Sequence, residues 1–296
     1  MCIVELISLL TLFALLIYII YQNQIIITIC KKVKYYEKTK LNEDKTQILE
    51  DNLNNNFKSN FKNKNDNPIM KIYGKFQSYS EQYEDLILYG VFYDKNEGFY
   101  IDVGANSPTI SSVTKAFYER GWNGINIEPL LQYAGKELIL ERPRDINLAV
   151  CAGEKEGKAT LYVKGMGSAS STLDKRYNNN YNNTLKITVL PMSTITKLHV
   201  PKNKEVDFCK IDVEGSEKQV LLGYDFINYR PKVFCIESTK PESNIPTENE
   251  WEDILIQNKY SFAYKYGINR FYVDDKVKGL KERFIGVDKL KKKFME

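Results

Sequence analysis

The chain has 296 residues, room for one large domain with an appendage or for two small domains. Its 42 basic and 38 acidic residues leave a net charge of +4, too mild to argue for a nucleic-acid partner, while 43% hydrophobic and 12% aromatic residues suit a sizeable core. A single histidine, His199, argues against a Ser-His-Asp triad and against any site built on two histidines, and the five cysteines (Cys2, Cys30, Cys151, Cys209, Cys235) have no CxxC spacing, which points to free buried thiols in a reducing compartment.

The first zone, residues 1–30, contains LISLLTLFALLIYIIY, an uncharged run from Leu6 to Tyr21, followed after three polar residues by IIITIC. As a helix of about 20 residues it would cross roughly 30 Å of hydrocarbon. A cleaved signal peptide is the rival, but no basic n-region and no small-residue cleavage site accompany the run. A buried core helix is the other alternative. The reading is a single-pass membrane anchor. Glu5 precedes it, and Lys31, Lys32 and Lys34 follow it, so the positive-inside rule places the remainder of the chain in the cytoplasm. Residues 31–68, rich in Asn, Lys, Asp and Glu, bury almost nothing and read as a solvated tether with a helical start at Lys34–Leu49.

From residue 69 to the C-terminus short apolar strands alternate with helical stretches. GFYIDVGA is followed by a helix expected from about Ser111 (SSVTKAFYERG), then GINIEP, the helical LLQYAGKELIL and the strand DINLAV. Later come VDFCKIDVEG, SEKQVLLGYDF, RPKVFCIES, WEDILIQNK, SFAYKYG and NRFYVDD. This alternation predicts an α/β fold, a Rossmann-like doubly wound and mostly parallel sheet covered on both faces.

Ligands of such sheets sit beyond the C-terminal ends of the strands. The first strand ends in Asp102-Val103-Gly104-Ala105-Asn106, the second in Glu128, the fourth in Asp212-Val213-Glu214-Gly215 and the fifth in Glu237; the third passes through Asn147. Acids that merely stabilise would not converge on one rim, where like charges repel. Glu128 lies 24 residues after Gly104, where a carboxylate grips a ribose in dinucleotide sites. The loop is GAN rather than G-x-G-x-x-G, so the glycines that admit a pyrophosphate are missing. S-adenosylmethionine fits, because its ammonium suits an acid such as Asp102 or Asp212.

At these residues the chain resembles the FkbM-type methyltransferases. The similar segments are YSEQYEDLIL, GFYIDVGAN, FYERGWNGINIEP, RPRDINLAV, STLD, FCKIDVEGSEKQVLLG, RPKVFCIEST and GINRFYV, in family order between about Ser78 and Val273. The resemblance implies a class I methyltransferase fold at residues 69–296 and S-adenosylmethionine-dependent O-methylation, with polyketide and sugar hydroxyls among the family's substrates. The variant with RPKVFCIEST and NRFYV is similar to members found beside glycan-assembly enzymes, so the expected acceptor is a sugar hydroxyl of a glycan or glycolipid. A polyketide-like or lipid hydroxyl is one alternative, and a non-catalytic nucleoside-binding module another. Ser107-Pro108 departs from the family pattern, where a glycine or histidine often follows GAN.

The expected roles follow from placement. Asp102, Gly104, Ala105 and Asn106 form the floor at the methionine end of the cofactor, Glu128 takes the ribose and Asn147 lies near the adenine. Asp212 and Glu214 lie over the sulfonium and acceptor, and Glu237 is the other base candidate. No metal is assigned, although Asp212, Glu214 and Glu237 offer oxygen ligands to magnesium. Tyr79, Ser80, Glu84 and Asp85 resemble the family's lid-side helix, and the alternative is that they cover the sheet edge. Arg270 orients a polar acceptor or pairs with a rim acid. His199 reads as a surface residue, and Lys289, Lys291, Lys292 and Lys293 as a solvated tail or a contact for anionic lipid. Asn182 begins the chain's one N-glycosylation sequon.

Overall fold

The computed structural model describes residues 76–130, 136–163, 171–176 and 183–287. The anchor expected at 1–30, the tether at 31–68, the sequon asparagine and the C-terminal lysines lie outside them. Among the described residues no helix is long and apolar enough to cross a membrane.

The chain enters through α1 (Glu84–Val91), then β1 (Phe99–Val103), α2 (Lys115–Glu119), β2 (Asn123–Ile127), α3 (Lys136–Glu141) and β3 (Ile146–Leu148). A second group follows: β4 (Cys151–Gly153), β5 (Gly157–Val163), β6 (Asn183–Pro191) and α4 (Met192–His199). The last part comprises β7 (Phe208–Ile211), α5 (Glu217–Leu222), β8 (Val233–Glu237), α6 (Glu252–Gln257), β9 (Tyr260–Tyr266) and β10 (Asn269–Asp274). The main sheet has seven strands in the order β3-β2-β1-β7-β8-β10-β9. The first five in that order pair in parallel, and β10 runs antiparallel to both of its neighbours. The expected α/β fold with a mostly parallel central sheet is therefore present.

The central strands are apolar on both faces because both faces are covered. Tyr100 and Phe208 point into one cluster with α1 and Trp122, while Ile101 and Cys209 point into the other with Met192, Val220 and Trp251. Successive side chains of a strand alternate between faces, so FYIDV and FCKI supply both cores at once. Fully burying a large apolar side chain contributes about 1.5–3 kcal/mol. Gly267 turns the β9–β10 hairpin at φ +54°, and a Cβ there would lie 1.7 Å from Gln82 Oε1. That hairpin is what reverses β10 and brings Ile268 and Asn269 to the end of the sheet where β1 and β7 finish.

Two features depart from expectation. The helix expected from about Ser111 begins only at Lys115 and has five residues. In addition, the stretch after β3, to which no element was assigned, forms a separate three-stranded sheet in the order β4-β6-β5. It closes over its own small core of Leu130, Cys151, Leu161, Val163 and Val189.

Candidate active site

Strand order reverses between β1 and β7, so a crevice opens beyond their C-terminal ends, as in other open α/β sheets. A cavity of about 200 Å³ lies there. Gly104, Ala105 and Asn106 from the end of β1, Glu128 from β2, Asp212 and Glu214 from β7 and Glu237 from β8 all line it. Glu84 from α1, Ile268 and Asn269 from the hairpin, and Cys151, Ala152 and Leu161 of the small sheet complete the walls. The structure thus brings seven of the expected site residues to one cavity.

Glu128 is 7% exposed. Its Oε2 accepts the Asn106 N–H at 2.9 Å and its Oε1 accepts the Leu130 N–H at 2.9 Å. Burial pushes this carboxyl up, and the two N–H donors pull it back towards the charged form. Each carboxylate oxygen has a second lone pair, so both remain able to accept from a ligand diol. Asn106 holds a left-handed φ of 47°, which its short amide side chain tolerates and which aims its N–H at Glu128.

Gly104 has a reason beyond ligand access. Its φ is +82°, and a Cβ would lie 1.8 Å from the Asp212 carbonyl oxygen. The backbones at the ends of β1 and β7 touch here, and only glycine permits it.

Asp102 sits differently from expectation. It is 1% exposed and lies beneath the cavity wall. Its Oδ2 accepts the Thr114 hydroxyl at 2.9 Å, and its Oδ1 has no hydrogen-bond partner. The residue that comes between it and the cavity is Lys210, which pairs with Asp102 in the β1–β7 register and lines the cavity. Lys210 Nζ is 3.1 Å from Asp212 Oδ2 and 3.9 Å from Asp102 Oδ1. Burial alone would lower the lysine pKa, but Asp212 and Asp102 hold it above the usual range, so Lys210 stays charged. Sequence reasoning passed over this residue; the available signal was a lysine in the middle of a strand otherwise buried on both faces.

Asn147 stands apart. Its Oδ1 accepts from Asn126 at 2.8 Å and its amide donates to the Arg142 carbonyl at 3.1 Å, and it is not part of the cavity lining. The expected place beside an adenine is replaced by a role in tying β3 to β2. Both asparagines belong to a buried network centred on Arg142, which is 0% exposed. Arg142 Nη1 donates to the Pro108 carbonyl at 2.9 Å, Nη2 to Tyr100 Oη at 2.7 Å and to Thr114 Oγ1 at 3.0 Å, and Nε to Asp145 Oδ2 at 3.1 Å. These contacts go with the late helix start. Residues 107–114 form a loop pinned by Arg142, and Ser107 Oγ accepts the Ile110 N–H at 3.1 Å within it.

The acids at the ends of β7 and β8 and the start of α5 crowd together. Glu217, also missed, accepts the N–H groups of Val213 and Gly215 with Oε1, both at 3.1 Å. Burial, with the carboxylates of Asp212 and Glu217 next, pushes Glu214 up to about 8. Burial pushes Glu217 up to about 7 against its hydrogen bonds. Burial and the charges of Asp212, Glu217 and Glu214 hold Glu237 far above the carboxylate range, and its Oε2 has no hydrogen-bond partner. Among the described residues no group of three or more His, Cys, Asp or Glu is arranged to hold a metal ion.

These raised pKa values carry a sign. A carboxyl whose folded pKa exceeds its unfolded value of about 4.3 stabilises the fold when protonated, and that stabilisation is lost as pH rises through the folded pKa. The melting temperature is therefore expected to fall as pH rises from about 5 to about 9, across the values of Glu217 and Glu214. Glu217→Gln should flatten this fall. Calorimetric scans across pH check it, and an unchanged slope in the variant would refute the assignment.

The remaining candidates are structural. Asp85 accepts from Ser78 and Ser80 hydroxyls, both at 2.7 Å, and from the Tyr79 N–H at 2.6 Å, which ties down the entry to α1. Glu84 does reach the cavity, where its Oε1 accepts from Asn269 at 2.7 Å. Arg270 pairs with Glu248 and Glu252, both at 3.0 Å, and neither acid lines the cavity. His199 ends α4, half-buried. Cys151, Cys209 and Cys235 are free and buried.

The cavity fits a nucleoside methyl donor. Glu128 offers a carboxylate able to accept from a diol, the Gly104–Asn106 turn runs beside it, and the pair of buried Lys210 and half-exposed Asp212 faces the same space. No curated protein and no solved structure matches the chain. Residues 102–264, more than half of the chain, match the family model described as the methyltransferase FkbM domain. On that match, and with the sheet order and the strand-end site in agreement with it, the chain belongs to the FkbM methyltransferase family.

Proposed function

We propose that the protein is an S-adenosylmethionine-dependent O-methyltransferase that methylates a sugar hydroxyl of a glycan or glycolipid. The observation that carries the reading is Glu128. It is a buried carboxylate at the end of β2 with a free lone pair on each oxygen, beside a β1 turn that lacks the glycines of a pyrophosphate site. Bound here, the donor supplies an electrophilic methyl group on a sulfonium. The task left to the chain is to hold the acceptor oxygen in line with that methyl and to receive its proton.

Glu214 is the base. Its carboxyl, pushed up to about 8, lies close to neutrality, and a proton acceptor is most effective when its pKa is near the ambient pH. Its φ of 55° is a strained backbone state for a glutamate, held by the Thr172 hydroxyl on its carbonyl at 2.6 Å. Glu237, kept protonated by burial and by the charges of Asp212, Glu217 and Glu214, would donate a hydrogen bond to the acceptor. Acids surround the acceptor side, which suits a hydroxyl-rich partner that donates hydrogen bonds. The apolar run at Leu6–Tyr21 supports a single-pass anchor, Lys31, Lys32 and Lys34 after it support a cytoplasmic enzyme, and tethering of this kind raises encounter with a lipid-linked acceptor.

The test combines calorimetry with methyl transfer. The full chain should bind S-adenosylmethionine and label a member of a glycan and glycolipid array from methyl-labelled donor. Glu214→Gln should keep donor affinity within about twofold while lowering kcat by about 10²–10⁴. Absence of donor binding by the wild-type chain would sink the enzyme reading. An unchanged kcat in the variant would move the base to another residue.

A further inference from the structure

The acids of the cavity raise the question of what its cation does. Among the described residues that line it, Lys210 is the single cation, beside Glu81, Glu84, Glu128, Asp212, Glu214 and Glu237. One role would be to neutralise Asp102 alone. The geometry argues otherwise. Lys210 Nζ is closer to Asp212, at 3.1 Å, than to Asp102, at 3.9 Å, and Asp102 Oδ1 is left without a hydrogen bond. A lysine serving only Asp102 would close that gap. Instead the side chain leans towards the cavity while remaining 9% exposed.

An ammonium carries three N–H donors. Asp212 takes one, which leaves donors for a partner in the cavity. Glu84 from α1, Asp102 from β1 and Asp212 from the end of β7 all contribute to keeping the group charged. Asp212 itself is 31% exposed at its side chain, so an oxygen of the pair is open to a ligand. The wall therefore presents a positive and a negative group side by side, the lysine buried and the aspartate half-exposed, and both can make charge-assisted hydrogen bonds. A zwitterion matches such a pair, with its carboxylate on the lysine and its ammonium on the aspartate.

We propose that Lys210 and Asp212 together receive the amino-acid end of the methyl donor, Lys210 binding its carboxylate and Asp212 its ammonium. Asp102 acts behind them as a positioning residue. It faces Lys210 across the β1–β7 register and is itself oriented by Thr114, whose hydroxyl is held by Arg142. Of the two acids expected to suit the donor ammonium, Asp102 and Asp212, the contact is thereby given to Asp212. This inference rests on the donor being S-adenosylmethionine, and its test separates the two ideas.

The full chain is titrated calorimetrically with three ligands: S-adenosylmethionine, its decarboxylated form, and 5′-methylthioadenosine, which lacks the amino-acid end. The wild-type chain should bind all three and prefer the carboxylate-bearing donor over the decarboxylated one by about tenfold or more, the factor of a charge-assisted hydrogen bond. Lys210→Met should erase that preference to within about twofold and leave methylthioadenosine affinity unchanged. A variant that retains the full preference overturns the proposal, as does equal loss for all three ligands, which marks a merely structural lysine. Lys210→Gln, which keeps a donor to Asp212 without the charge, repeats the comparison if the methionine variant shows no thermal transition. Should neither variant fold, the wild-type comparison decides, because equal affinity for the two donors removes the carboxylate contact. If the wild-type chain binds none of the three, the nucleoside-donor reading falls first and the proposal with it.

Discussion

Glu128→Ala should weaken binding of S-adenosylmethionine by about a hundredfold, or ~2.7 kcal/mol. Two causes add. A carboxylate that accepts two ribose hydroxyls makes charge-assisted bonds, each contributing about 1.5–3 kcal/mol when fully formed. The same carboxylate holds the backbone on both sides of the cavity, through the Asn106 N–H after β1 and the Leu130 N–H after β2. Without it those donors lose their partner and the β1 turn loses the contact that fixes its left-handed residue. Glu128→Gln separates the causes: one amide oxygen still accepts an N–H, but the charge that favours a ribose diol is gone. Calorimetry on the full chain reads both variants. Unchanged affinity in Glu128→Ala would remove the ribose assignment. Equal melting temperatures for wild type and Glu128→Gln would show that the loss of affinity is a binding effect.

Arg142→Met should destabilise the domain by about 3–5 kcal/mol, the cost of leaving one member of a buried ion pair alone. Arg142 and Asp145 are both 0% exposed at their side chains and lie 3.1 Å apart. Methionine fills much of the volume but leaves the Pro108 carbonyl without its donor and Asp145 without its cation. Burial already pushes the Asp145 carboxyl up, and Arg142 is the largest influence drawing it down. In the variant that carboxyl climbs further. A raised acid stabilises the fold below its unfolded pKa and loses that contribution as pH rises, so the deficit is expected to be largest at neutral and basic pH and to shrink as pH falls towards about 4. Denaturant titrations at several pH values measure it. A deficit independent of pH would mean that Asp145 finds another partner. Donor affinity should also fall, because the same guanidinium pins residues 107–114 and orients Thr114 against Asp102.

How far the strands could be read depended on where they lie. FYIDV, FCKI and VFCIE announce themselves because strands buried on both faces need apolar residues at every position, and an acid at the end of such a run has few explanations. The small sheet was not recognised in the same way. β6 runs through Asn183–Pro191 with most of its residues exposed or half-buried, so its apolar signal is diluted. It also pairs β4 and β5 across intervening chain that no local pattern links. The helix after β1 was placed too early for a related reason. The side chain that holds the Pro108 carbonyl in the loop before it, Arg142, lies 34 positions away.

The sequence by itself determined the family, the mostly parallel sheet and the rim of carboxylates at its strand ends, because all of these follow from local hydrophobic periodicity and from which residue ends each strand. Only the tertiary structure decided which acids face the cavity. Asp102 and Asp212 look equivalent along the chain, yet one lies beneath Lys210 and the other beside it. It also decided how each acid titrates, since Glu214, Glu217 and Glu237 are raised by burial and by one another. Those are properties of distance and desolvation between residues far apart in sequence, and a strand ending read alone carries neither. Gly104 shows the same division. Its place after Asp102 was plain, but the need for it comes from the carbonyl of Asp212, which arrives from the neighbouring strand.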